Sequence, residues 1–231
     1  DRIGEVLDCL DRLKITNNTL VIFTSDNGPA RASGPAKLEL MHDTATGAGY
    51  GIGGAKGITG GRKGYKGALF EGGIGVPFIA RWPGKIPVGK IDDSSLISAV
   101  DLLPTICAIA EAELPAGYLP DSIDQLATLK GKQKTKRGKP LFWKMDAAWP
   151  ARRSKPNHWV AYAVVHQQWK LVTNRDASHV ELYDIAADPY EKKDLKPVNA
   201  TVVEAMKKKL TMWQATLPIQ PDEKCFSSMR E

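Results

Sequence analysis

The sequence predicts an α/β fold: part of a mixed sheet flanked by helices, followed by a small C-terminal antiparallel sheet with one helix packed on it. Three observations lead there. Ile3, Val6, Leu7, Leu10 and Leu13 recur at helical spacing, and a turn at residues 16–19 then feeds Leu20, Val21, Ile22, Phe23 and Thr24. That unbroken apolar run is of the kind a parallel sheet covers on both faces. Beyond residue 139, four short strand candidates at hairpin spacing precede one long helical stretch.

Each element has its own local reason. The first helix runs straight into the apolar strand with no cap before it, so the chain is expected to be a piece of a longer protein. Residues 44–67 hold ten of the 21 glycines, interleaved with Lys56, Arg62, Lys63 and Lys66, and read as a long basic loop; loops of that length are functional or disordered. Strand character returns at residues 76–80, and the turn-rich Trp82, Pro83 and Gly84 follow. Asp101 stands where an N-cap would, with Pro104 in the first turn and Leu103, Ile106, Cys107 and Ala110 on one face. Residues 128–139 form a basic run without core residues, which places a domain boundary at about 130: residues 1–130 form one part and 131–231 a small subdomain. In that subdomain residues 140–143, 160–166, 169–173 and 180–184 are the expected strands, and residues 201–217 the helix.

Composition narrows the function classes. A chain of 231 residues with 42% hydrophobic content can bury a core. A net charge of +6 favours anionic partners through long-range steering. No helix-turn-helix, zinc-finger or RNA-binding signature supports nucleic acid, and no apolar run is long enough to span a bilayer. Cys9, Cys107 and Cys225 are odd in number and far apart, so free buried thiols are expected rather than a disulfide framework or a zinc site. The four histidines are scattered without metal-ligand spacing. Gly49 to Gly54 matches a dinucleotide fingerprint, but no strand precedes it and no helix follows.

Asp26 and Asn27 stand apart from these. They close a buried strand, and in open α/β sheets ligands gather at the carboxyl ends of strands. Two readings stand side by side: an Asx-turn ahead of Gly28 and Pro29, or a carboxylate and an amide oxygen offered as hard donors to Ca²⁺ or Mg²⁺. For Lys66 the plain reading is a solvated loop lysine.

The strand ending Ser25-Asp26-Asn27-Gly28 is followed by Gly64-Tyr-Lys66-Gly-Ala-Leu-Phe-Glu71-Gly-Gly-Ile-Gly-Val-Pro77 and then Trp82-Pro-Gly84. Val100-Asp-Leu-Leu-Pro-Thr105 comes next, then Trp169-Lys-Leu171 and Leu182-Tyr-Asp-Ile-Ala-Ala-Asp-Pro-Tyr-Glu191. In this collinear order the sequence resembles the later half of the sulfatases of the alkaline-phosphatase superfamily, among them arylsulfatases and N-acetylgalactosamine-6-sulfatase-like proteins. The resemblance implies an alkaline-phosphatase-like sheet and hydrolysis of sulfate esters, on sulfated small molecules or carbohydrates. It implies Asp26 and Asn27 as ligands of a divalent cation, usually Ca²⁺, and Lys66 as the catalytic and substrate-binding lysine that contacts the sulfate. It implies a formylglycine nucleophile from a C-x-P-S-R motif. That motif is absent here and is expected upstream; Cys225 lacks its context. A periplasmic, secreted or lysosomal setting is likewise implied by the resemblance alone. Gly75 departs from the family pattern, which carries arginine at that position. A phosphoesterase or phosphonate hydrolase of the same superfamily, or a non-catalytic module binding acidic glycans, would share parts of this pattern.

Overall fold

A computed structural model describes residues 2–29, 58–118, 121–132, 137–145 and 159–218. Helix α1 (Arg2–Arg12) forms where the apolar spacing predicts, yet none of its residues is buried among the described residues, and Ile3 and Val6 are more than half exposed. A single 3₁₀ turn (Thr16–Asn18) leads into β1 (Val21–Thr24).

The partner of β1 differs from the parallel neighbour expected. It pairs antiparallel with β2 (Phe78–Arg81), Val21 opposite Arg81 and Thr24 opposite Phe78, and Phe23 and Ile79 remain exposed. An apolar run specifies a strand and its need for cover, but strand direction is set by the path of the intervening chain, which the run does not encode. Between these strands lies α2 (Glu71–Ile74), a single turn with Gly72 and Gly73 buried.

Helix α3 (Leu102–Ala110) begins after a 3₁₀ turn at Ala99–Asp101, and here Asp101 works differently from the N-cap predicted. Ser98 is the cap residue, and Asp101, three positions on, accepts the Ser98 backbone N–H in a capping box. Asp101 is wholly buried and also takes the Arg137 guanidinium at 2.6 Å and the Ile123 N–H at 3.0 Å. Arg137 is buried as well, so the run read as coreless contributes a buried ion pair. One short helical turn, α4 (Leu126–Leu129), lies between the two residues in sequence.

The C-terminal part is an antiparallel meander in the order β3 (Leu141–Lys144), β4 (Tyr162–His166), β5 (Trp169–Thr173) and β6 (Val180–Asp184). β4 and β5 meet in a two-residue turn whose Gln167 takes a left-handed φ of 57°. The strands are buried on both faces because each face has a cover. Helix α5 (Ala200–Gln214) brings Val203, Met206 and Leu210 against Val164, Leu171 and Leu182. On the other face, Ala68, Leu69 and Phe70 pack with Val160, Ala163, Val172 and Tyr183. Burial of Leu69 and Phe70 is worth about 1.5–3 kcal/mol each, so the glycine-rich loop is anchored to this sheet. Cys9 and Cys107 are free and half-buried rather than buried; Cys225 and the loop to residue 57 lie outside the described residues. Among the described residues no helix is long and apolar enough to cross a membrane.

Candidate active site

The site begins where β1 stops. Ser25 Oγ donates to the Asn27 carbonyl at 3.0 Å and approaches Asp26 Oδ1 at 3.4 Å, while Asn27 Nδ2 donates to the Gly28 carbonyl at 3.1 Å. The turn reading is thus partly realised, through Ser25 and the Asn27 amide. It leaves Asp26 Oδ2 and Asn27 Oδ1 without a hydrogen bond among the described residues, and Asp26 is exposed.

Two backbone hydrogen bonds join this turn to the lysine loop. Gly28 N–H donates to the Gly73 carbonyl at 2.8 Å, and Lys66 N–H donates to the Pro29 carbonyl at 2.9 Å. The approach is possible only because Gly28 has no side chain: a Cβ there would stand 2.0 Å from the Gly72 carbonyl oxygen. Gly72 and Gly73 are equally confined, by the carbonyls of Gly64 and Ala68. Asp26, Asn27, Lys66 and Glu71 consequently line one cavity of about 1060 Å³. Lys66 is exposed and has no side-chain partner among the described residues.

Beneath the loop lie charges whose roles the sequence did not disclose. Lys63, a neighbour in the same basic run, is not a solvated lysine. Its ammonium donates to Glu181 at 3.0 Å and to the Tyr183 hydroxyl at 2.8 Å, and sits 4.0 Å above the Phe70 ring. Burial works against ionisation of Glu181, but hydrogen bonds from Tyr183 and Lys63 outweigh it and hold the carboxyl below its ordinary value. The Tyr183 phenol is pushed up, first by burial and then by the adjoining Glu181. Lys170 of β5 is fully buried and reaches Glu71 at 2.8 Å and Glu191 at 2.9 Å. The contact with Glu191 Oε1 is close but not aligned as a hydrogen bond; Glu191 Oε2 instead accepts the Glu71 N–H at 2.7 Å. Burial pushes the Glu191 carboxyl up, against the pull of Lys170.

At Asp92 a different carboxylate borders the cavity, and hydrogen bonds from Ser95 and Ser94 hold it well below the usual carboxylate range. His166 approaches the Gly138 carbonyl and His179 approaches Glu181, whereas His42 and His158 lie outside the described residues. Among the described residues no three His, Cys, Asp or Glu side chains converge as a metal centre. The open oxygens of Asp26 and Asn27 do fit a hard divalent cation, as two donors of the six to eight that Ca²⁺ takes.

Comparison with known proteins gives the arrangement a family. A model described as N-sulphoglucosamine sulphohydrolase, C-terminal, matches residues 63–216, and one described as Sulfatase matches residues 1–112. N-acetylgalactosamine-6-O-sulfatase of Bacteroides thetaiotaomicron is 31% identical, over 87% of this chain and 37% of its own length. Human steryl-sulfatase is also 31% identical, over 96% of this chain and 39% of its own. A solved Bacteroides thetaiotaomicron structure, described under metabolism of multiple glycosaminoglycans, is 28% identical with a TM-score of 0.64 and covers 92% of this chain and 42% of that one. The chain therefore spans less than two-fifths of the length of these two curated relatives. Two family models that overlap at the lysine loop, relatives matched along most of the chain and a shared fold agree: the chain belongs to the sulfatase family.

Proposed function

We propose that this chain supplies one wall of the active site of a full-length sulfatase that hydrolyses sulfate esters on carbohydrates. The observation that carries the reading is the pair of backbone hydrogen bonds, Gly28 to Gly73 and Lys66 to Pro29, which brings the Asp26–Asn27 turn and the Lys66 loop to one cavity. In this reading Asp26 and Asn27 hold a divalent cation, Ca²⁺ by family resemblance, through the Asp26 carboxylate and the Asn27 amide oxygen. Bound there, the cation would supply Lewis-acid stabilisation of charge on the sulfate oxygens. Lys66 binds the same sulfate, its ammonium free to turn into the cavity, and stabilises charge that shifts onto oxygen as the ester bond breaks. Lys63 and Glu71 take no part in binding; they hold the loop. The nucleophile, a formylglycine by resemblance, is contributed by sequence outside this chain. A division near residue 130 separates the part carrying these groups from the small C-terminal sheet, which nonetheless grips the lysine loop.

A carbohydrate substrate is favoured by the name of the bacterial relative and by the glycosaminoglycan context of the similar structure, while the steryl-sulfatase likeness keeps the ester's alcohol open to assay. The test is sulfate release by the full-length protein, co-expressed with the formylglycine-generating enzyme. Substrates are 6-sulfated N-acetylgalactosamine and a chromogenic aryl sulfate, each with and without chelator. The proposal expects metal-dependent turnover. Absence of release from both substrates in the metal-loaded protein would overturn it.

A further inference from the structure

We infer that Lys170 and Glu191 are positioning residues, a buried clamp from the C-terminal sheet that sets where Lys66 and the Asp26–Asn27 turn stand relative to each other. The inference rests on the reading of those three residues given above. The clamp seizes Glu71 at both ends: Lys170 takes its carboxylate at 2.8 Å, and Glu191 Oε2 takes its backbone N–H at 2.7 Å. Lys170 and Glu191 are themselves 2.9 Å apart, both with fully buried side chains.

Glu71 opens α2, and the neighbouring residues of this turn make the site's connections. Gly73 accepts from Gly28, Gly72 donates to the Lys63 carbonyl, and Ala68 to Phe70 plug the sheet two to four residues beyond Lys66. A shift of Glu71 is therefore passed through Gly73 to Gly28 and the two candidate metal donors, and through the loop to Lys66. The Lys170 ammonium and the Glu191 carboxylate are closed to water, and Glu71 meets it only at the cavity edge, so the pair tolerates little displacement: no solvent reaches Lys170 or Glu191 to replace a lost partner. The fold could have closed this sheet face with apolar groups alone. An ion cluster fixes one orientation of the turn, where apolar packing would permit several.

The test uses the full-length protein with Glu191→Gln and Lys170→Met. Glu191→Gln keeps the volume and an acceptor for the Glu71 N–H, but turns an NH₂ group toward the Lys170 ammonium. Three readouts are taken: kcat and KM for an aryl sulfate, the thermal transition, and amide exchange by NMR or mass spectrometry. The expected result is a fall in kcat of about 10²-fold, larger than the change in KM. With it, exchange at Gly28 and Lys66 should quicken by about tenfold or more while β4 to β6 keep wild-type protection. Wild-type exchange at Gly28 and Lys66 in Glu191→Gln would overturn the inference, as would a uniform loss of protection across the sheet. If Lys170→Met fails to fold, Glu191→Gln decides alone. The exchange result stands apart from turnover, so an inactive wild-type protein would count against the proposed function and leave the clamp to be judged by its amides.

Discussion

Gly28→Ala is the smallest change that attacks the site's geometry without touching any group proposed to meet the substrate. The added methyl would stand 2.0 Å from the Gly72 carbonyl oxygen, 2.9 Å from the Gly72 carbonyl carbon and 3.0 Å from the Gly73 Cα, all backbone atoms. None of these is the end of a flexible side chain, so relief requires the turn and α2 to part by about 1 Å, at a cost of about 1–3 kcal/mol. That cost lowers the thermal transition. A functional cost accompanies it, because the same displacement stretches the hydrogen bond from Gly28 to Gly73 and moves the Asp26–Asn27 turn away from Lys66. A misplacement of about 1 Å costs about 10²-fold in turnover. The assay is kcat for an aryl sulfate by the full-length protein, with calorimetry on the same sample. Near-wild-type kcat in a folded Gly28→Ala variant would refute the claim that this contact sets the site.

Lys66→Ala should lower kcat by about 10²-fold and leave the thermal transition nearly unchanged, since the side chain is exposed and makes no hydrogen bond or ion pair among the described residues. Lys63→Ala should do the reverse in its first effect, lowering stability by about 2 kcal/mol through loss of two hydrogen bonds and the contact with Phe70; urea unfolding measures it. Glu181 has its carboxyl held below the ordinary 4.5, so its ionised form contributes stability above that pH and the contribution is lost on acidification through the lowered folded value. Unfolding of Glu181→Gln against wild type should accordingly show a gap at neutral pH that closes in acid. Asp26→Ala should remove bound metal, read by mass spectrometry, while calorimetry finds the fold intact, because the carboxylate is exposed and makes no core contact.

How much of this was legible in the sequence depends on distance along the chain. Asp26 and Asn27 announce themselves locally, as an acid and an amide closing a run of five strand-forming residues, and the glycines around Lys66 mark a tight loop. The C-terminal strands were readable because apolar runs and turns alternate at short spacing. The contacts that unite the site were not. Glu71 meets Lys170 and Glu191 at 99 and 120 residues' separation, and no periodicity links such positions. Lys170 sits mid-strand between Trp169 and Leu171, where alternation would send it to solvent; the loop at residues 68–70 covers that face and turns it into an interior cation. The role of Lys63 is hidden for the same reason, as its partners lie 118 and 120 residues away on β6. The direction of β1 against β2 escaped as well, since an apolar strand pairs equally well with either neighbour.

Whether the Asp26–Asn27 turn and Lys66 act on one sulfate is decided by a crystal structure of the full-length protein with calcium and a slowly hydrolysed sulfate ester. The expected result is a cation held by the Asp26 carboxylate and the Asn27 amide oxygen, with the Lys66 ammonium hydrogen-bonded to the sulfate that the cation touches. A cation bound elsewhere, or a sulfate seated with Lys66 turned away from it, would show that the turn and the lysine do not share a substrate.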